Sequence, residues 1–279
     1  MKVPDGFKRL FYDIETSQGV ATVFQIGRKV NIGHDDLLIN PSIICICYKW
    51  EGIDEVHSLE WADGDDEKMV KRFIEVALMA DEIVGHNGDN FDEKWIRTQA
   101  MMYGIPMPHK MPSLDTLKKM RSTFRLQSNR LDYAGKIMFG EGKSPMSKQD
   151  WHDILIPIIP KKLGFEVELP QSYYDALDKM VKYCKQDVKL LEDVFHKIQP
   201  YVKPNQHRGA YSGLGRFTCP HCASKKVAHQ RKRYTATGML RHQMRCKSCS
   251  HHFTISNKVW QDKMQEDWNE QQRNMNTKG

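Results

Sequence analysis

The sequence has no long apolar run and no secretion signal. No stretch approaches the roughly 18 to 20 consecutive apolar residues that are needed to span a bilayer. Residues 1–10 are polar and mixed in character, unlike a signal peptide with its apolar segment. These absences predict a cytoplasmic protein that has no membrane partner.

A disulfide framework is not expected either, although the chain has seven cysteines. Disulfides persist in oxidising compartments, and a chain without a secretion signal is expected in a reducing one. Cys45, Cys47 and Cys184 lie within apolar or helical patterns, so we interpret them as buried, unreactive thiols. The other four cysteines form two close pairs nearer the C-terminus.

The formal net charge of +7 is unevenly distributed. Basic residues are dense from Lys225 to Arg245, whereas the stretch from Glu51 to Glu82 is acidic. A positive excess is compatible with a polyanionic partner such as nucleic acid, although it also occurs in proteins that bind none. Charge alone therefore leaves the partner open.

Hydrophobic periodicity predicts both strands and helices. An antiparallel meander is predicted at residues 11–16, 42–50 and 56–60, followed by a short strand at 83–86 and a short strand or helix entry at 113–117. Helices are predicted at residues 65–81, 91–102, 129–138, 149–154 and 173–198. The pattern is that of an α/β protein.

Composition divides the chain into four parts. Residues 1–200 form a large domain, and residues 201–216, with several Pro and Gly, form a linker. Residues 217–258 contain the paired cysteines. Residues 259–279 form a polar tail, which we interpret as a helix that frays into disorder.

Two carboxylates stand one residue apart in the first predicted strand, at Asp13 and Glu15. Alternate side chains of a strand share a face, so these acids point the same way. Buried carboxylates repel each other unless a divalent cation such as Mg²⁺ lies between them. The alternative is an edge strand with two solvated acids.

Two later segments contribute further acids. Asp92 begins a helix directly after a predicted strand, which places it near the end of a central sheet. Tyr183 and Asp187 are four residues apart on a helix and project from one face. Five other acids lie close in sequence to these motifs: Asp89, Glu93, Asp115, Glu192 and Asp193. Most of them are interpreted as solvated or helix-capping, with Asp115 kept as a supporting residue.

The order and spacing of these motifs resemble the DEDD superfamily, the DnaQ-like 3'-5' exonucleases. The motifs are Asp-x-Glu on a first strand, Asn-x-x-x-Phe-Asp at a helix start and Tyr-x-x-x-Asp on a late helix. Tyr183, four residues before the last Asp, is similar to the tyrosine subtype, which includes ribonuclease D and proofreading domains of replicative polymerases. The resemblance covers about residues 9–200.

The resemblance implies an α/β fold with a ribonuclease H-like mixed central sheet flanked by helices. It implies that two Mg²⁺ or Mn²⁺ are bound and that they stabilise the attacking and leaving oxygens of phosphodiester hydrolysis. The implied ligands are Asp13, Glu15, Asp92 and Asp187. Tyr183 would orient the attacking water, because a phenol with an ordinary pKa of about 10 is a poor base. Asn87 and Phe91 would support the second motif at the substrate.

The paired cysteines have the spacing of a zinc ribbon. Two Cys-x-x-Cys turns, separated by enough chain for a short hairpin, present four thiolates to one structural Zn²⁺. The four are Cys219, Cys222, Cys246 and Cys249. Redox dithiols, or a site in which His221, His251 or His252 replaces one cysteine, are the alternatives.

The segment between the cysteine pairs is rich in Lys and Arg. Cations on a rigid ribbon attract phosphates without reading sequence, and Tyr234 or Phe253 could stack on a base. Arg231, Arg233 and Tyr234 are therefore candidate substrate contacts. A ribbon that is purely structural, or that docks a protein, is the alternative.

The resemblance implies a metal-dependent 3'-5' exonuclease acting on DNA, with a zinc ribbon that helps to bind the substrate. The alternatives are a 3'-5' exoribonuclease similar to ribonuclease D and a non-catalytic nucleic-acid-binding zinc-ribbon protein. A separate polymerase or other replication protein is a candidate partner, because the chain is too short to include a polymerase. Such a nuclease would fit the cytoplasm of a bacterial cell or a virus-infected host cell.

Overall fold

The computed structural model describes residues 3–25, 27, 30–140 and 146–276. These residues divide into two compact units. The first contains the described residues up to Val194 except Asp5–Phe7, and the second contains Asp5–Phe7 and the described residues from Phe195 onward. The predicted boundaries at residues 200, 216 and 258 remain predictions.

The first unit is built on a five-stranded mixed sheet. In spatial order its strands are β5 (His57–Glu60), β4 (Ile43–Trp50), β1 (Arg9–Thr16), β6 (Glu82–Gly85) and β7 (Ser113–Asp115). β4 is antiparallel to β1 and β5, whereas β6 is parallel to β1 and β7. The predicted meander and the α/β class are confirmed, and β1 is the middle strand.

Helices flank this sheet. They are α1 (Glu67–Ala77), α2 (Asp92–Met102), α3 (Thr116–Thr123), α4 (Leu131–Phe139), α5 (Lys148–Lys162) and α6 (Gln171–Ile198). A two-stranded sheet of β2 (Val20–Ala21) and β3 (Leu37–Ile39) and a 3-10 turn at His34–Asp36 complete the described part of this unit. Within the described ranges, no helix is long and apolar enough to cross a membrane.

Helix α5 is longer than predicted. The sequence pattern ends it at residue 154, but the helix continues to Lys162 and contains Pro157 and Pro160. Proline removes a helical hydrogen bond, which is why the pattern predicts an early end. Ile154 and Ile158 are fully buried on this helix, and their packing outweighs that local cost.

The second unit is built on a three-stranded antiparallel sheet. Its order is β10 (His252–Ser256), β9 (Leu240–Cys246) and β8 (Val227–Tyr234). β8 and β9 form the predicted hairpin, and β10 is a third strand that was not predicted. α8 (Asn257–Asn276) confirms the predicted C-terminal helix, and residues 277–279 lie outside the described part of the chain.

The segment predicted to be a linker is structured within this unit. It follows a 3-10 turn at Gln199–Tyr201 and contains the short helix α7 (Arg208–Tyr211). The amide of Arg208 donates to the carbonyl oxygen of Pro220 at 2.9 Å, and His221 Nε2 lies 2.8 Å from the carbonyl oxygen of Val202. These bonds tie the segment to the cysteine-bearing sheet.

A buried arginine joins three parts of the first unit. Arg9 is 2% exposed; its Nε donates to Glu82 at 2.8 Å and its terminal nitrogen to Glu51 at 2.8 Å. Arg9 lies on β1, Glu82 on β6, and Glu51 directly after β4. Removing one member of a buried ion pair leaves an uncompensated charge, which is strongly destabilising.

We expect Arg9→Gln to lower the free energy of unfolding by about 3–5 kcal/mol, measured by urea denaturation. The control is Arg72→Gln, because Arg72 pairs with Glu75 at 2.8 Å with both side chains about half exposed. An exposed pair of this kind contributes less than about 1 kcal/mol. Equal losses in the two variants would contradict a structural role for Arg9.

Candidate functional site

Three carboxylates meet at the carboxyl end of β1. Alternation along the strand places Asp13 and Glu15 on one face, and α6 brings Asp187 to them. One carboxylate oxygen of each residue lies within 4.8 Å of the others. Asp187 is buried and the other two are half-buried. Carboxylates this close repel one another, and hard divalent cations prefer such oxygen ligands, so these residues fit a Mg²⁺ or Mn²⁺ site.

A layer of thiols supports these acids. Cys45, Cys47 and Cys184 are fully buried, and their sulfur atoms lie within 4.8 Å of one another. In the sheet register Cys47 is opposite Asp13. The Cys184 thiol donates to the carbonyl oxygen of Asp13 at 3.4 Å, and burial raises its pKa, so it stays neutral. Burial of all three thiols agrees with the sequence interpretation.

A buried ion pair also holds α6 against the sheet. Lys49 on β4 lies 2.5 Å from the carboxylate of Glu192, and the two side chains are 7% and 12% exposed. Glu192 is therefore neither a solvated nor a helix-capping acid. The sequence pattern does not predict this pair, because the two residues are distant in sequence.

Asp92 is not a member of this group of three carboxylates, but it contacts the same strand. The pairing of β6 with β1 ends at Phe11, so the Ile14 amide lies beyond it, and Asp92 accepts a hydrogen bond from that amide at 3.1 Å. Asp92 is 3% exposed. Burial is the main cause that raises its pKa to about 7, and the charge of Asp115 adds to the shift.

The turn between β6 and α2 is tightly folded. A Cβ atom on Gly88 would lie 3.1 Å from the Cα atom of Gly85, so a larger residue there would require the turn to shift. Asn87 has a φ of 68°, and its backbone N–H donates to the carboxylate of Asp115 at 3.1 Å. Asp115 also caps α3, so its carboxylate supports both the turn and the helix. Phe91, whose amide donates to the Asn87 carbonyl at 3.0 Å, is 40% exposed.

Tyr183 lies among the carboxylates. Burial raises its pKa, and the negative charges of Asp187, Glu15 and Asp13 raise it further, in that order of size. A phenol with a raised pKa stays protonated at neutral pH. The Tyr183 hydroxyl can therefore donate a hydrogen bond but is a poor base.

A cavity of about 870 Å³ opens beside Tyr183 and Asn87. It is also lined by three cationic side chains, those of Arg121, Arg130 and Lys136. Sequence reasoning missed these residues, because α3, α4 and the loop between them lie in the least regular part of the pattern. Cations beside a carboxylate cluster suit an anionic chain such as a nucleic-acid strand.

The four paired cysteines converge in the second unit. The sulfur atoms of Cys219 and Cys249 are 3.5 Å apart, and those of Cys222 and Cys246 are 3.6 Å apart. Four thiolates at about 2.3 Å from a tetrahedral Zn²⁺ have similar separations. The amide of Cys249 lies 3.5 Å from the Cys246 sulfur, which it would stabilise as a thiolate. The donor set therefore fits zinc.

The histidines near this site have other partners. His221 Nε2 and His251 Nδ1 lie 2.8 Å and 3.1 Å from the backbone carbonyl oxygens of Val202 and Pro200. His252 is exposed. Because all four cysteines converge, none of these histidines is needed to complete a four-ligand site.

The predicted contacts on the ribbon do not share a face. Arg231 and Arg233 are two residues apart on β8 and exposed on one side, and Tyr234 follows on the other. The Arg231 Nε donates to Gln243 at 2.8 Å. Tyr234 is 71% exposed at the end of the strand.

Comparisons with known protein families and with curated proteins give no match. Among solved structures, the chain is similar to the family B DNA polymerase from the hyperthermophilic archaeon Pyrobaculum calidifontis, with a TM-score of 0.45 and 17% sequence identity. The similarity covers 71% of this chain and 25% of that polymerase. At this TM-score it identifies neither a fold family nor an activity.

The raised pKa of Asp92 predicts a pH-dependent stability. Between an ordinary pKa of 3.8 and about 7, the folded protein binds a proton that the unfolded chain has lost, so stability falls as pH rises through this range. Asp92→Asn keeps an acceptor for the Ile14 amide and removes the charge. In buffer without divalent cations, we expect it to raise the melting temperature at pH 8 and to change it little at pH 4.

Asp89→Asn is the control for this measurement, since Asp89 pairs with Lys118 at 2.8 Å and is partly exposed. It should not raise the melting temperature at pH 8. If Asp92→Asn does not raise it either, the carboxylate of Asp92 is not desolvated as described.

We expect purified protein to contain one zinc ion per chain, measured by elemental mass spectrometry, because four thiolates saturate a tetrahedral site. Cys246→Ser should lose the metal and the structure of the second unit, whereas Cys45→Ser should retain both. Absence of zinc together with reversible oxidation of the cysteine pairs would favour the redox alternative instead.

Proposed function

We propose that the protein is a metal-dependent 3'-5' exonuclease that hydrolyses phosphodiester bonds in DNA. The observation that carries the proposal is the meeting of Asp13, Glu15 and Asp187 around the protonated Tyr183. The sheet order, with β1 in the middle and β4 antiparallel to it, supports a ribonuclease H-like fold. The exonuclease polarity follows from the resemblance of the motifs.

Two Mg²⁺ or Mn²⁺ ions would be held by the carboxylates of β1, α6 and α2. Bound there, they would stabilise the charge that develops on the attacking and leaving oxygens. Asp92 would be the fourth carboxylate ligand. Its pKa of about 7 means that burial disfavours its ionised form, which a bound cation would stabilise. The tight turn before α2 places it beside Ile14.

Tyr183 would position the attacking water. Its hydroxyl keeps its proton and is held on α6, one turn before Asp187. A positioned donor fixes the line of attack without removing a proton. Tyr183 thus acts by orientation.

The cavity beside Tyr183 would bind the end of the strand. Arg121, Arg130 and Lys136 would contact backbone phosphates, and Asn87 belongs to the same lining. Phosphate contacts position a strand without reading its sequence. We therefore expect cleavage that is insensitive to sequence.

The test is incubation of purified protein with 3'- and 5'-labelled single- and double-stranded DNA and RNA, with Mg²⁺ or Mn²⁺. We expect stepwise shortening of DNA from the 3' end. Asp187→Asn should lower kcat at least about 100-fold, because the metal site supplies several kcal/mol of charge stabilisation. Tyr183→Phe should lower kcat about 10- to 100-fold with little change in KM, because only the positioning of water is lost.

Asp178→Asn and Tyr174→Phe are matched controls on the same helix. Asp178 pairs with Lys182 at 2.5 Å on the surface, and Tyr174 is 49% exposed. Both variants should retain wild-type rates. Preferential shortening of RNA would assign the exoribonuclease alternative, and an inert wild type on every substrate would favour a binding protein.

A further inference from the structure

The ribbon sheet has one apolar face and one arginine-rich face. On the inner face the side chains of His242, Met244 and Ile255 are at most 5% exposed. On the outer face, four arginines stand at alternate positions of two neighbouring strands, and the register places Arg233 opposite Arg241. The four are Arg231, Arg233, Arg241 and Arg245. The face also contains Gln243, which accepts from Arg231 at 2.8 Å.

No acidic side chain offsets these charges nearby in the sequence. No Asp or Glu occurs between Asp193 and Asp262, a stretch that includes the whole ribbon. A surface of this kind attracts polyanions over several ångströms, and the attraction weakens as salt screens it. The outer face therefore selects a partner with repeated negative charge.

A cavity of about 610 Å³ adjoins this face. Arg233 and Gln243 from the outer face form part of its lining. Residues 200–207 form another part, which includes Lys203 and the aromatic residue Tyr201, 69% exposed. Among the described residues that line it, none is acidic. The cavity thus combines aromatic surface, amide groups and cations, which are the groups that contact the ring, the polar edge and the phosphate of a nucleotide.

We propose that the outer face and this cavity bind single-stranded nucleic acid, with the backbone on the arginines and one unstacked base in the cavity against Tyr201. A base inside a duplex has both faces stacked and its edge paired, so it cannot enter. The inference deepens the proposed function, because the bound strand would be the substrate. Binding itself does not require cleavage.

The backbone path is tested by fluorescence anisotropy with labelled oligo(dT). Full-length protein with Asp13→Asn is used without divalent cations, so that no hydrolysis occurs. Arg231→Gln with Arg233→Gln should weaken binding at least tenfold and reduce the slope of log affinity against log salt by about 1.4, or about 0.7 for each phosphate that is no longer neutralised. The control, Lys225→Gln with Lys232→Gln, removes the same charge away from this face and should weaken binding less than threefold. If the two double variants weaken binding equally, the nucleic-acid backbone does not lie on the arginine-rich face.

The base site is tested with Tyr201→Leu and an abasic strand of the same length. Stacking on an aromatic side chain is worth at least about fivefold in affinity per base. Tyr201→Leu should lower the affinity for oligo(dT) by about this factor and leave the affinity for the abasic strand unchanged, and Tyr201→Phe should retain wild-type affinity. Zinc content confirms that each variant is folded. Equal loss on both strands, or none, would overturn the base site.

Two further measurements separate this inference from others. A duplex of the same length should bind Tyr201→Leu and the wild type equally well. If poly-glutamate binds as tightly as oligo(dT), the face docks acidic proteins and the inference fails. Because all binding is measured without hydrolysis, an inactive acidic site would overturn the proposed function and leave this result unaffected.

Discussion

Repulsion among the carboxylates at the end of β1 is the constraint on which the first unit depends. Pairing with β4 holds Asp13 and Glu15 on the face that they share, opposite Cys47 and Cys45. Helix α6 then adds Asp187 to the same small volume. Like charges at this distance are costly in a partly buried place, and a divalent cation offsets that cost. The architecture is therefore consistent with a site that is completed by metal.

The surrounding structure holds these acids rigidly. Arg9 with Glu51 and Glu82 joins the centre of the sheet to its neighbours, and Lys49 with Glu192 joins the sheet to α6. In each case buried charges of opposite sign lie in contact, whereas at the end of β1 like charges meet. A perturbed cluster of this kind within an otherwise balanced interior is typical of functional sites.

The two units reach stability by different means. The first buries a continuous core around β4, all of whose residues are buried. The second has a small sheet and four converging thiols, and metal binding can supply the folding energy that a small core lacks. The outer face of this sheet is then not needed for the core and can have charged side chains.

The sequence alone determined the local patterns. Alternation placed Asp13 and Glu15 on one face, helical spacing paired Tyr183 with Asp187, and Cys-x-x-Cys spacing marked the ribbon, because each depends only on the geometry of a single element. Tertiary structure alone decided the contacts between distant residues that belong to no motif. Glu192 pairs with Lys49, and Arg121 and Tyr183 line one cavity. These contacts arise from the packing of separate elements, which the periodicity of a single helix or strand does not predict.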